Sequence, residues 1–353
     1  MAQPQFHPLR VAAVEPLTDD AVAISFAVPP ELAEEYAFAH GQHLTIRGED
    51  GERRSFSICT TPRSGILTIG VKKLPGGAFS EGVVDTLHVG DELDVMTPAG
   101  RFTTRLDPSS EKAYVAIAAG SGITPIISIV STILEEEPLA RVMLVYANRT
   151  QRTVMFLDEL HDLKDRFPER FHLVHVLSRE QQDVELFSGR LDGDRLTRIL
   201  KSLLPVEDVD EWFLCGPQQM VVDLRQVILD HGVAANAVHT ELFHAEPVSR
   251  APEATASAIE GAAHVTIRLD GRSSDFELRP DGVGVLEAAL EVRNDLPFAC
   301  RGGVCGTCRA QLIEGTVAMD VNYALEPEEI ADGYVLTCQS HPTSERVVLD
   351  YDA

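Results

Sequence analysis

The sequence predicts a multidomain chain: a small antiparallel β-barrel, an α/β domain on a parallel sheet, and a C-terminal domain built around a four-cysteine loop. Three observations predict it. Short strand-like runs separated by turn residues fill the first hundred residues, as small barrels require. Strands alternating with helical periodicity follow as far as Cys215. Near the end stands Cys300-Arg-Gly-Gly-Val-Cys305-Gly-Thr-Cys308, with Cys338 further on. A chain of 353 residues has room for these domains, each with its own core. The expected boundaries are 1–107, 108–245 and 261–353, with 246–260 as linker.

In the first domain the strand runs are 9–14, 21–28, 41–47, 54–58 and 67–73. Pro29-Pro30 closes the first pair. Arg54-Ser55-Phe56-Ser57 offers a guanidinium for a diphosphate, an aromatic face for an isoalloxazine ring and a hydroxyl for its redox edge. Gly76-Gly-Ala-Phe-Ser80 is expected to begin a helix whose free N–H groups receive phosphate oxygens. Taken singly, each piece reads as an ordinary strand or turn; in this order they have the chemistry of a flavin site.

The second domain begins with a buried strand at 114–119, the turn Gly120-Ser-Gly122, and a helix expected to start with Thr124 as cap and Pro125 as first residue. That helix N-terminus suits a pyrophosphate. Further strands are expected at 142–147, 172–177 and 211–215, and helices at 155–163 and 217–230. Cys215-Gly216-Pro217 again ends a strand and opens a helix. Ser178-Arg179 follows the third strand, where hydroxyl plus guanidinium suits the 2′-phosphate of NADPH better than the bare ribose of NADH. Arg149 and Arg190 add positive charge, while the adjoining Glu180 points the other way. His172 and His175 lie in a strand and form no metal grouping.

Residues 245–260, rich in Ala, Pro, Ser and Glu without an apolar period, read as a flexible linker. A hairpin at 264–278 and a helix at 285–292 precede the cysteines. Their C-x4-C-x2-C…C order is the plant-type ligand spacing of a [2Fe–2S] cluster, with Cys300, Cys305, Cys308 and Cys338 as ligands. Gly302, Gly303 and Gly306 let the loop fold tightly around an inorganic core. A zinc site would more typically show two C-x2-C pairs or a Cys/His mixture.

A net charge of −25 argues against nucleic acid as a partner, because phosphate is repelled. Four of six cysteines fall in the loop and two stand alone, which together with an N-terminus lacking a basic, then apolar, leader suggests the reducing cytoplasm. The uncharged run 113–134 is broken by Gly120 to Pro125 and reads as strand, turn and helix, so no membrane span is expected. From Gly261 onward sixteen acids face seven bases, and Glu326, Glu328, Glu329 and Asp332 form either a solvated face or a docking surface for a basic partner.

The ordered motifs resemble the ferredoxin–NADP reductase family, in which R-x-[YF]-S and a downstream G-x-x-S hold the flavin. The resemblance implies that Arg54, Ser55, Phe56, Ser57, Val71, Lys72, Gly77 and Ser80 line FAD. It likewise implies that Gly120, Gly122, Thr124, Arg149, Ser178, Arg179, Cys215, Gly216 and Pro217 hold the nicotinamide nucleotide, with Cys215 beside the nicotinamide. Ser57 and Cys215 thereby become the catalytic candidates, and Glu241 and Phe243 match an acid and an aromatic near the flavin. The last domain resembles β-grasp ferredoxins, Leu296-Pro-Phe-Ala-Cys300 being typical of their approach to the metal. Segments 6–11, 17–22, 71–80, 148–150, 176–180, 186–191 and 239–244 extend the resemblance, within this family, to reductase components of multisubunit diiron oxygenases. The implied relay runs from NADPH through FAD and the [2Fe–2S] cluster to the oxygenase. Two alternatives are an NADH-dependent reductase of another oxygenase, such as a steroid 9α-hydroxylase, and a zinc-stabilised binding module without redox function.

Overall fold

The structure, a computed structural model, describes residues 5–48, 51–73, 85–203, 205–243, 261–279, 283–325 and 327–353. The chain divides into two compact units, Met1–Phe243 and His244–Ala353.

The first unit opens with six antiparallel strands: β1 (Phe6–Thr18), β2 (Ala21–Ala27), β3 (His43–Arg47), β4 (Arg53–Ser57), β5 (Leu67–Lys72) and β6 (Glu92–Met96). Their order is β4-β3-β6-β1-β2-β5, and a bridge from Ile58 to Ile69 brings the two ends of the sheet together. Alternation sends Leu9, Val11, Ile24, Leu44, Ile46, Ile69 and Val71 into the barrel core. The expected strands are present; β6, a run of five residues, was not expected. The expected helix start at 76–80, with Gly77 and Ser80, lies outside the described residues, as does the expected linker.

A parallel sheet follows, made of β7 (Ala113–Ala119), β8 (Arg141–Asn148), β9 (Phe171–Leu177), β10 (Glu211–Gly216) and β11 (Val238–Leu242) in the order β11-β10-β7-β8-β9. Its helices are α1 (Ile123–Glu136), α2 (Leu157–Arg166), α3 (Gly193–Leu203) and α4 (Gln218–Asp230). The chain departs from β7 to one side and returns beside it as β10, so the topological switch lies at the carboxyl ends of those two strands. Helix α1 explains the uncharged run. Its isoleucines join Ala21, Ala23, Cys59 and Phe102 of the barrel part and the underside of the sheet in one core. Ser128 adds a hydrogen bond to the Thr60 carbonyl, 2.7 Å away. No helix among the described residues is long and apolar enough to cross a membrane. Trp212, the only tryptophan, is fully buried in β10, its indole N–H without a well-formed hydrogen bond.

Two expectations need correction. Thr124 does not cap α1: Gly120–Gly122 already forms a 3-10 turn, Gly122 occupies the cap position, and the Thr124 hydroxyl donates back to the Ser121 carbonyl at 3.0 Å. Pro125 is tolerated anyway, because N–H groups in a first helical turn have no intrahelical partner. Helix α3 was not expected; Asp192 starts it by accepting from the Arg195 backbone at 2.9 Å, and Leu196, Ile199 and Leu200 form its buried stripe.

In the second unit, β12 (Ala263–Leu269), β13 (Arg272–Leu278), β14 (Arg309–Glu314), β16 (Tyr334–Leu336) and β18 (Arg346–Asp350) form a sheet of order β13-β12-β18-β14-β16. Strands β15 (Val317–Met319) and β17 (Ser340–Pro342) pair separately, and the helices are α5 (Val285–Val292) and α6 (Pro327–Ala331). The expected hairpin and helix are present, and β12 pairs in parallel with the last strand, which ties the chain end into the core. Glu329 does not belong to a solvated acidic face: it is buried and paired with Arg309 across from β14.

Candidate functional site

Two places in the molecule carry the expected chemistry, one in each unit. In the second unit the cysteine loop turns through three left-handed residues, Arg301 (φ 54), Gly303 (φ 73) and Gly306 (φ 68). No cysteine is in a disulfide. Among the described residues no three His, Cys, Asp or Glu side chains converge as one metal ion would need. The cysteines pair instead: Cys300 with Cys305, and Cys308 with Cys338, each pair within hydrogen-bonding reach. Two by two is what a binuclear cluster asks of four thiolates, whereas a mononuclear zinc asks for four around one point.

The surroundings also suit thiolates. The Cys305 thiol and the backbone N–H groups of Gly302 and Val304 draw the Cys300 thiol down to about 6 against the cost of burial. The Gly302 N–H lies 3.4 Å from Cys300 Sγ, and the Gln339 side-chain amide lies 3.6 Å from Cys338 Sγ. The Thr307 hydroxyl is within hydrogen-bonding reach of the Cys305 sulfur, a donor that favours its thiolate.

In the first unit the carboxyl ends of β7 and β10 meet the edge of the barrel. A Cβ on Gly122 would stand 2.2 Å from the Cys215 carbonyl oxygen, so the Gly-Ser-Gly and Cys-Gly-Pro turns interlock only because that residue is glycine. A Cβ on Gly120 (φ 54), by contrast, would meet nothing within 4 Å, which leaves open space in front of the turn. Asn148, at the end of the neighbouring β8, is buried with its side chain against the Tyr146 hydroxyl. A turn with open space and a helix N-terminus fit a pyrophosphate-bearing ligand.

Cys215 sits directly beside Glu241 in the register of β10 and β11. From the barrel, the Ser57 hydroxyl donates to Glu241 Oε2 at 3.2 Å. Loss of water pushes the Glu241 carboxyl up to about 8, opposed only by that hydrogen bond. Burial likewise raises the Cys215 thiol well above its ordinary range, with Glu241 adding to it. Three polar groups from sequence-distant strands therefore meet uncharged at neutral pH. Phe243 packs against the core that includes Cys215.

Other expected residues are placed as follows. Phe56 is half-buried, leaning on the barrel core. Arg54 is exposed, its guanidinium 3.0 Å from Glu52 and 2.8 Å from the Arg53 carbonyl, an exposed pair that costs little to exchange for a phosphate. Lys72 lies 3.3 Å from Asp20, and Ser55 is bonded to Thr45 at 3.1 Å. Val71 turns its side chain into the barrel core, so only its backbone on the edge strand β5 is open to a ligand. Thr124, buried with its hydroxyl committed to the turn, likewise offers only backbone. Arg149, Ser178 and Arg179 are exposed together at the ends of β8 and β9, joined by the Arg179 N–H bond to the Arg149 carbonyl at 2.8 Å. Glu180 accepts from the Gln151 backbone at 2.9 Å. Gly216 and Pro217 lead into α4, where Pro217 is the cap. Sequence reasoning missed Thr307 and Gln339 beside the cysteines, although each adjoins an expected ligand, Cys308 and Cys338.

A barrel of this kind, a parallel-sheet nucleotide domain and a four-cysteine unit, in that order, define a flavin- and iron–sulfur-dependent electron-transfer reductase. Residues 8–104 match the oxidoreductase FAD-binding domain, residues 116–226 the oxidoreductase NAD-binding domain and residues 267–343 the 2Fe-2S iron-sulfur cluster binding domain. The chain is 43% identical over 351 residues to one of the subunits of 1,2-phenylacetyl-CoA epoxidase from Escherichia coli K12, covering 99% of this chain and 98% of that one. It is 33% identical to the ferredoxin reductase component of 3-ketosteroid-9-alpha-monooxygenase from Rhodococcus rhodochrous, over 97% of this chain and 96% of the relative. Phthalate dioxygenase reductase shares the fold at 24% identity and a TM-score of 0.61, with 98% of each chain covered. The chain belongs to the family of oxygenase reductase components that carry FAD-binding, NAD-binding and [2Fe–2S] domains.

Proposed function

We propose that this chain passes electrons from NADPH, through FAD and a [2Fe–2S] cluster, to the multisubunit diiron oxygenase of a phenylacetyl-CoA epoxidase system in the cytoplasm. The observation that carries the reading is the 43% identity to the epoxidase component along 99% of the chain. FAD, when bound, supplies the conversion of a two-electron hydride donor into one-electron output for the cluster.

The chain's own residues divide the work. Arg54 binds the diphosphate, Phe56 presents its ring to the flavin, and Lys72, Ser55 and the backbone at Val71 line the rest of the site. Gly77 and Ser80 are assigned to the phosphate end. Gly120, Gly122 and the backbone at Thr124 cradle the nucleotide pyrophosphate, assisted by Gly216 and Pro217. Ser57 fixes the reacting edge of the ring, and Glu241 holds a proton beside it up to about pH 8. A charged carboxylate at that point would repel the electron density arriving there. Cys215, kept as a neutral thiol, positions the nicotinamide rather than attacking it. Phe243 covers that side. Cys300 and Cys305 hold one iron, and Cys308 and Cys338 the other.

Preference for NADPH is supported by Ser178, Arg179 and Arg149, whose neighbour Glu180 is engaged elsewhere. A charge-assisted bond to a 2′-phosphate contributes about 1.5–3 kcal/mol. Arg179→Ala is therefore expected to lower kcat/KM for NADPH by roughly 10-fold or more while leaving NADH nearly unchanged. An equal loss with both nucleotides would remove Arg179 from phosphate recognition.

The acceptor is tested by pulling the tagged protein from its own cells. The expected result is a diiron oxygenase whose NADPH consumption rises when phenylacetyl-CoA is added. The 33% identity to a ketosteroid monooxygenase component supports a second reading, an NADH-dependent reductase of another oxygenase. Recovery of a steroid-hydroxylating oxygenase would favour that acceptor and keep every residue role above.

A further inference from the structure

Gln339 follows the last of the four cysteines and is half-buried, held through its backbone and through its side-chain nitrogen. Its backbone N–H bonds to the Leu336 carbonyl and its carbonyl accepts from Asp320, both at 2.9 Å. The side-chain nitrogen lies 2.8 Å from the Arg301 carbonyl and 3.1 Å from the Cys338 carbonyl. Two carbonyl oxygens cannot both face an amide oxygen, so the NH2 end must point inward. One of its two hydrogens goes to the Arg301 carbonyl, and the other is shared between the Cys338 carbonyl and Cys338 Sγ, 3.6 Å away. Below it, a Cβ on Gly303 would come within 3.1 Å of Gln339 Cγ, so the glycine makes the room in which this side chain lies.

We propose that Gln339 is a positioning residue that sets the reduction potential of the cluster by donating a hydrogen bond to the Cys338 sulfur, while its bond to Arg301 ties the cysteine loop to the distant fourth ligand. The inference rests on the reading that the four cysteines hold a [2Fe–2S] cluster. The step concerned is the arrival of one electron from the flavin, with no bond made or broken and no proton taken up. Each added electron increases negative charge on the sulfurs, so an N–H aimed at one of them stabilises the reduced form more than the oxidised form. Removing the donor must lower the potential.

The test is a potentiometric titration of the full-length, cluster-loaded protein, followed by electron paramagnetic resonance of the reduced cluster. Gln339→Met keeps the length and removes the donor. It is expected to weaken reduction by up to about tenfold, which for a one-electron couple is 59 mV. Gln339→Glu, unable to donate when ionised and negatively charged, is expected to shift the midpoint further in the same direction. FAD midpoints in the same samples are expected to stay in place. Unchanged cluster midpoints in both variants would overturn the proposal. So would loss of the cluster from both, which would make Gln339 an anchor of the loop and nothing more. A wild-type protein without a cluster signal would instead sink the assignment of the four cysteines.

Discussion

Cys215 and Cys300 are both held inside the protein, yet their thiols are pushed in opposite directions. Cys215 lies in a parallel sheet where the strand neighbours already use the backbone N–H groups, and its nearest ionisable neighbour is a carboxyl. Nothing there repays the loss of water from a thiolate, so the proton stays. Cys300 faces the Cys305 thiol first and then the backbone N–H groups of its left-handed loop, and its thiol falls to about 6. Burial alone therefore does not determine the chemistry of a cysteine; the donors that face it do. Among the four cysteines the proton is shared unequally in each pair, Cys300 and Cys338 being lowered and Cys305 and Cys308 raised, whereas Cys215 has no such partner.

The comparison is broken most completely by Cys305→Ser. One-electron output to cytochrome c is expected to vanish while reduction of FAD by NADPH survives, and persistence of output would mean that these four residues are not the ligands. Gly122→Ala attacks the other unit, since its methyl group would stand 2.2 Å from the Cys215 carbonyl. Overpacking of this kind costs about 1–3 kcal/mol or more. A fall of several degrees in the Tm of the first unit is expected, with the cluster absorption unaffected. Glu241→Gln makes the smallest change and sharpens the contrast most. The native carboxyl titrates near 8 in the folded chain, above the ordinary 4.5, so the folded state holds the extra proton between those values. Stability is thus fullest below about pH 4.5 and declines as pH rises through 8, and flavin reduction slows over the upper part of that range. The Gln variant should flatten both profiles; an unaltered pH dependence would remove Glu241 from the site.

Much of this was legible in the chain itself, because several signals are local. The C-x4-C-x2-C run, the strand runs of the barrel and the turns ending β7 and β10 can each be read within a dozen residues. What escaped depends on partners far away. Strand β6 is only five residues long and is held in the sheet by β1 and β3 on either side. Thr124 before Pro125 looks like a helix cap, but the glycines ahead of it bring the helical turn forward. Glu329 reads as surface charge until Arg309 is found against it. The bond from Ser57 to Glu241 spans 184 positions, and no periodicity carries information over that distance.

The single tryptophan gives the molecule a built-in optical label. Trp212 lies wholly within the first unit, fully buried on β10, and the second unit has none. Its emission therefore reports on one half of the chain, while charge-transfer absorption from sulfur to iron reports on the other. A single sample, warmed once and followed at two wavelengths, yields separate melting curves for the half that takes in hydride and the half that gives out electrons.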